Sequence, residues 1–248
     1  MISLFFIVGL LFGSFLNAWM WRVRTKKSIV FARSMCPKCT TQLACFDNIP
    51  LFSFLYLKGK CRTCKKAISL TYPLVELALG LLFVFVYWWH GTLSLVLFRD
   101  LCIVFFLLFI FVYDLRYQEI RDRASTIPAI LLGLVTLIYG WHSLSSLLIA
   151  VVIGAGFFLL QFVVSKGKWI GGGDIRLGFF MGVILGWPNI LLALVLAYIG
   201  GAAVSVVLLM MKKKELASET PFGTYLALAT FVTMFWGEQI LNWYLGMI

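Results

Sequence analysis

Charge is scarce in this chain. Only 12% of its 248 residues are charged, against about 25% in an ordinary soluble domain. With 62% hydrophobic residues and a mean hydropathy of +0.99, the composition excludes a water-exposed globular protein and defines an integral membrane protein. Low-complexity tracts, sustained heptads and a clear internal repeat are also missing, as is a soluble N-terminal targeting sequence. The opening stretch "ISLFFIVGLLFGSFLNAWMW" has neither a basic n-region nor a small-x-small cleavage site, so it reads as a retained membrane span.

What the chain has in abundance is apolar segments of spanning length. A helix crosses the hydrocarbon core with about 20 mostly apolar residues. Eight segments approach that length, at residues 2–21, 72–90, 96–114, 125–141, 144–164, 174–187, 190–211 and 222–242, the sixth being the shortest. The expected fold is an all-α polytopic membrane protein of about eight transmembrane helices with a small cytoplasmic zinc-binding loop domain. Its divisions are a first helix at 1–21, the loop domain at 22–71 and a multi-helix domain at 72–248.

The net charge of +11 raises the possibility of a nucleic-acid partner, but the distribution of the charge argues otherwise. Eleven Lys and Arg lie between Arg22 and Lys66, and three more between Arg116 and Arg123. Another three lie between Lys166 and Arg176, and the last three are Lys212, Lys213 and Lys214. With eight spans and an outside N-terminus, these 20 of the 21 basic residues fall on one side, and only Arg99 falls on the other. Short loops rich in Lys and Arg stay in the cytoplasm, which places both termini outside. A nucleic-acid surface calls for a polar fold with interleaved exposed aromatics, and neither is present.

The one sizeable hydrophilic segment, 22–71, carries two C-x-x-C pairs, Cys36 with Cys39 and Cys61 with Cys64, separated by 21 residues. Such pairs can offer four thiolates tetrahedrally to Zn²⁺, and the spacing lies slightly above the usual ribbon window. The competing reading, disulfides or free thiols, fits poorly with a reducing cytoplasm. Four sulfurs leave no open position for water, so the expected metal is structural. Cys45 reads as a spare loop thiol and Cys102 as a small apolar residue in a helix.

A carboxylate at membrane depth is costly unless it faces protein or water, which makes every intramembrane acid a functional candidate. Glu76, Asp100, Asp114, Asp174 and Glu238 lie within or at the ends of the spans. Asp100, beside Arg99, and Glu238 belong to the outer side and read as interfacial. Asp114 ends the third span and Asp174 begins the sixth, both on the cytoplasmic side, so they share a depth although 60 positions separate them. Two converging carboxylates can share one proton, one member drawing a proton from water while the other hydrogen-bonds a scissile carbonyl. Gly171, Gly172 and Gly173 let a substrate backbone approach closely and permit a sharp turn into the helix. The plainer reading of "GGGD" is a flexible loop with an aspartate capping a helix.

Taken in order, these motifs resemble the type IV prepilin peptidases, with the late competence prepilin peptidases as the nearest subgroup. "GGGDIRLGFFMGVILG" is similar to the family's G-x-G-D motif and "YDLRYQEIRD" to its other aspartate motif. "GSFLNAWMWR", the paired C-x-x-C, "ISLTYPLVEL" and "PFGTYLALAT" follow the family's order over nearly the whole chain. The resemblance implies an intramembrane aspartyl endopeptidase that cuts the leader from prepilins or pseudopilins at the cytoplasmic face of the bacterial inner membrane. It implies Asp114 and Asp174 as the catalytic pair and Cys36, Cys39, Cys61 and Cys64 as the metal set. Glu76 becomes a candidate for substrate amine recognition or methylation. S-adenosylmethionine is the implied donor if the new N-terminus is methylated.

The chain departs from the family pattern where Arg121, in place of proline, precedes Asp122, which puts the geometry of that loop in question. No Gly-rich fingerprint for a methyl donor is visible, so methylation rests on the resemblance alone. Two rival readings remain: a proton- or cation-coupled transporter using the same acids, and a methyltransferase without peptidase activity. Transport favours acids near the midplane, which this sequence lacks.

Overall fold

The computed structural model describes residues 1–28, 33–122, 124–211 and 221–247. Arg123 and the Lys212, Lys213 and Lys214 cluster, which contribute to the charge asymmetry, lie outside the described residues. Among the described residues the chain is helical, with two isolated antiparallel bridges and no strand. Its helices are α1 (Ile2–Arg24), α2 (Phe52–Tyr56), α3 (Thr71–His90), α4 (Leu95–Tyr117) and α5 (Thr126–Ile138). They continue as α6 (Leu144–Ser165), α7 (Gly172–Leu185), α8 (Asn189–Met210) and α9 (Phe222–Leu245).

Every expected span thus corresponds to a helix, and α1, α3, α4, α6 and α8 are long and apolar enough to cross a membrane. The 14-residue α7 and the 13-residue α5 reach only about 20 Å at 1.5 Å per residue, short of a hydrocarbon core of about 30 Å. Sequence reading left unmarked the 3₁₀ turn at Cys45–Asn48 and the five-residue α2, both inside the hydrophilic segment. The chain divides into two compact units, Met1–Phe105 and Phe106–Ile248, with the division falling inside α4.

In the first unit α1 packs on α3 through glycine. "GLLFG" places Gly9 and Gly13 four residues apart on one face of α1, the small-xxx-small pattern that lets membrane helices approach closely. A Cβ on Gly9 would stand 2.7 Å from the Gly80 Cα, and one on Gly13 only 2.6 Å from the Glu76 Cα. Asn17, one turn further along α1, donates from Nδ2 to the Tyr72 carbonyl at 2.9 Å. Phe15 and Trp19 of α1 stack on Phe105 of α4.

The second unit repeats the device. Gly154 of α6 and Gly178 of α7 meet backbone to backbone, each lacking room for a Cβ against the other's carbonyl. One turn along, a Cβ on Gly182 would lie 2.6 Å from the Ala150 carbonyl oxygen. Asp174, Gly178 and Gly182 recur every fourth residue, so the crossing that seats the glycines also sets the position of the carboxylate. Phe158, Tyr198 and Phe222 form an edge-to-face cluster that ties α6 and α8 to the first residue of α9.

Candidate active site

The second unit brings Asp114 and Asp174 together, each buried and each accepting a backbone N–H from the start of a helix. Asp114, near the C-terminal end of α4, is 5% exposed. The first turn of α9 offers backbone N–H groups that have no partner within the helix. Thr224 N–H donates to Asp114 Oδ2 at 2.9 Å, and Gly223 N–H is a second donor to the same carboxylate. A Cβ on Gly223 would stand 2.9 Å from that oxygen, so only glycine allows this approach.

Asp174 is the third residue of α7 and is 8% exposed. Its Oδ2 accepts the Gly171 N–H at 3.2 Å, the acidic half of a capping box. The cap expected from the plainer reading of "GGGD" therefore exists, and it occupies one oxygen of the carboxylate. Asp174 also lies within electrostatic reach of Asp114. Neither aspartate makes an ion pair with Lys or Arg among the described residues.

The three glycines differ in their surroundings. A Cβ on Gly172 would meet nothing within 4 Å, and one on Gly171 only the Gly173 nitrogen at 3.9 Å. On Gly173 it would lie 2.9 Å from the Ile120 Cβ, so that side of the chain is already filled. Ile120 also reaches to 3.0 Å from a Cβ built on Gly223, and thus packs against the residue before Asp174 and the helix start that holds Asp114. A lone isoleucine in a polar loop gave no sequence signal for this task.

The loop after α4 is fixed on both flanks. Arg176 Nη1 pairs with Asp122 Oδ1 at 2.7 Å, tying the two aspartate motifs together. Arg121, standing where proline was expected, donates to Glu119 Oε2 at 2.9 Å and lies over the Tyr113 ring at 6.0 Å. Contacts of a long side chain thus hold the loop at the position where the family pattern has proline. Tyr198 of α8 exchanges hydrogen bonds with Gln161 of α6 at 2.9 and 3.1 Å.

Of the remaining acidic candidates, Glu76 and Asp100 belong to the first unit. Glu76, 9% exposed, accepts the Leu51 N–H at 2.9 Å and also interacts with Ser14 and Asn17. Asp100 is buried and paired with Arg99 Nε at 2.7 Å and His90 Nε2 at 2.9 Å, whereas Glu238 of the second unit is exposed.

Cys36, Cys39, Cys61 and Cys64 place their sulfurs within 4.8 Å of one another. A tetrahedral site with Zn–S of about 2.3 Å has S–S edges of about 3.8 Å, and Cys36 and Cys64 are 4.0 Å apart. The two pairs fold alike. Cys36 N–H donates to the Thr41 carbonyl and Cys61 N–H to the Lys66 carbonyl, each at 2.9 Å. The residue after each second cysteine, Thr40 or Lys65, is left-handed at φ +58° and +56°. Hydrogen bonding to Thr41 pushes the Cys39 thiol down to about 6, and the Cys64 and Thr63 N–H groups pull Cys61 down as well, whereas Cys64, as the last of the four to ionise beside its neighbours, is pushed up to about 11 in the metal-free cluster. The donor set fits a metal that binds thiolate.

Such an arrangement, two buried aspartates each held by a backbone N–H of a helix start and, separately, a four-cysteine cluster, belongs to a multi-pass helical membrane protein. Residues 7–90 match the bacterial peptidase A24 N-terminal domain, and residues 101–206 match the type IV leader peptidase family. A prepilin leader peptidase/N-methyltransferase of Stutzerimonas stutzeri is 34% identical over 96% of this chain and 92% of its own length. The protein of that name from Pseudomonas aeruginosa is 32% identical over 96% and 91%. The one from Bacillus subtilis is 30% identical over 100% and 99%. No solved structure matches the chain. The chain belongs to the type IV leader peptidase family, and the transporter reading falls with that assignment.

Proposed function

We propose that this protein cleaves the leader from prepilin or pseudopilin precursors, with Asp114 and Asp174 as the catalytic pair. The observation that carries the reading is the juxtaposition of two buried carboxylates, each with one oxygen held by a backbone N–H. Those bonds orient both groups without neutralising either. The ionised member takes a proton from water, and the oxygen of that water attacks the scissile carbonyl. The protonated member donates a hydrogen bond to the carbonyl oxygen as charge develops on it. Open space beside Gly171 and Gly172 supports close approach of a substrate backbone there. Glu76 is the acidic candidate for recognition of the substrate amine, with one oxygen committed to Leu51.

The four cysteines hold a structural zinc ion in this reading, which clamps the two ends of the segment between them. Methylation of the new N-terminus from S-adenosylmethionine rests on the name its relatives carry. The basic loops face the cytoplasm and both termini face outward. Labelling of a Lys38→Cys variant by an impermeant maleimide from outside intact cells would refute that topology.

Co-expression with a pilin-like precursor, followed by mass measurement of the product's N-terminus, tests the central reading. The expected product lacks its leader, and a further added methyl mass reports the second activity. Leader removal that persists in Asp114→Asn and Asp174→Asn would rule out the pair.

A further inference from the structure

The stretch between the two cysteine pairs does not resemble a water-exposed loop. From Cys45 to Leu57 its sequence is "CFDNIPLFSFLYL", in which Asp47 is the only charged residue, and Asp47 is paired with Arg62 at 2.8 Å. Phe46, Ile49, Phe52, Leu55 and Tyr56 are between 45% and 72% exposed. An apolar surface of this kind needs an occupant.

The hydrogen bonds of this stretch fix its depth. Ser14 Oγ donates to the Asn48 carbonyl at 3.3 Å, and Leu51 N–H donates to Glu76. Ser14 lies ten residues before the end of α1 at Arg24, about 15 Å along the axis, and Glu76 lies five residues, about 7.5 Å, inside the start of α3. The tip therefore runs back along two membrane helices, level with the exposed Leu11, Phe12 and Phe15 of α1.

Its backbone is suited to that depth, where an unpaired polar group is expensive. Bonds from Ile49, Phe52, Ser53, Leu55 and Leu57 N–H close within the segment, those from Asp47 and Gly59 close at its two ends, and Pro50 has no N–H to satisfy. The Phe52 N–H to Pro50 carbonyl bond of 2.6 Å closes a γ-turn at Leu51, where φ is +59° and ψ is −48°. Glu76 accepts the N–H that this turn leaves outside it.

We propose that residues 45–57 form a re-entrant membrane hairpin. Its apolar side chains sit among the acyl chains of the leaflet nearest the basic loops. Exposed Lys58, Lys60, Lys65 and Lys66, just beyond it, lie at the level of anionic headgroups. The cysteine cluster staples the stem in water, and the tip enters lipid.

The test uses the full-length, metal-loaded protein in vesicles of phosphatidylcholine and phosphatidylglycerol. Spin labels are placed through Phe52→Cys, Leu55→Cys and, as a water-exposed control, Gln42→Cys, in a Cys45→Ser/Cys102→Ser background. Collision with oxygen exceeding collision with a water-soluble nickel chelate at 52 and 55, and the reverse order at 42, is the expected result. Retained metal content shows that each variant has folded. Nickel accessibility at 52 and 55 equal to that at 42 overturns the proposal. So does shielding at 52 and 55 that appears only when a precursor is added, since the surface would then be a protein dock. In vesicles of phosphatidylcholine alone, the labels at 52 and 55 are expected to shift toward nickel accessibility.

Discussion

At the residue scale, each aspartate commits one oxygen to a backbone N–H, which leaves the other for the chemistry proposed above. Asp114→Asn and Asp174→Asn should each lower precursor cleavage by about 10⁴-fold or more, read by the rate of leader loss, because members of a catalytic unit fail together. One partner must be protonated and the other ionised, so the rate should fall on both the acid and the alkaline side of a single maximum. A monotonic profile would argue against the pair. At the cysteine cluster, Thr41→Val removes the hydroxyl that favours the Cys39 thiolate. The alkylation midpoint of Cys39 in metal-free protein should therefore rise from about 6 toward its ordinary value of 9.0.

At the scale of elements, glycine governs where the helices cross. Gly178→Val would drive a branched side chain into the Gly154 carbonyl, parting α6 from α7 and shifting Asp174 with it. The expected loss is about 1–3 kcal/mol of stability in detergent unfolding, with a fall in cleavage. Gly13→Val, which strikes the Glu76 Cα, should lower stability by a similar amount. Both crossings were legible in the sequence, since "GLLFG" and "GFFMG" are small-xxx-small patterns, although the spans were read from hydropathy alone. The helices themselves were found because apolar length is a strong signal. What escaped notice were contacts set by tertiary placement. Thr224 acts through a backbone N–H and Ile120 through its shape, and neither property depends on a residue type that marks function.

For the molecule as a whole, the metal should matter to the first unit more than to the chemistry. Removing it with a chelator, or changing Cys36→Ser with Cys61→Ser, should abolish zinc stoichiometry by elemental analysis and sensitise residues 33–70 to proteolysis. The order of the motifs along the chain was sufficient to expect the enzyme class, and the placement of Asp114 within electrostatic reach of Asp174 had to await the fold. That placement has a practical side. Because Asp114 holds the start of α9 through Thr224 N–H, asparagine at this position keeps an oxygen acceptor for the same bond. Asp114→Ala would leave that N–H only its longer bond to the Pro221 carbonyl, at 3.3 Å, a loss of about 1 kcal/mol. The Asp114→Asn protein should therefore be inert yet well built, a trap in which an uncut precursor can be captured and imaged in place.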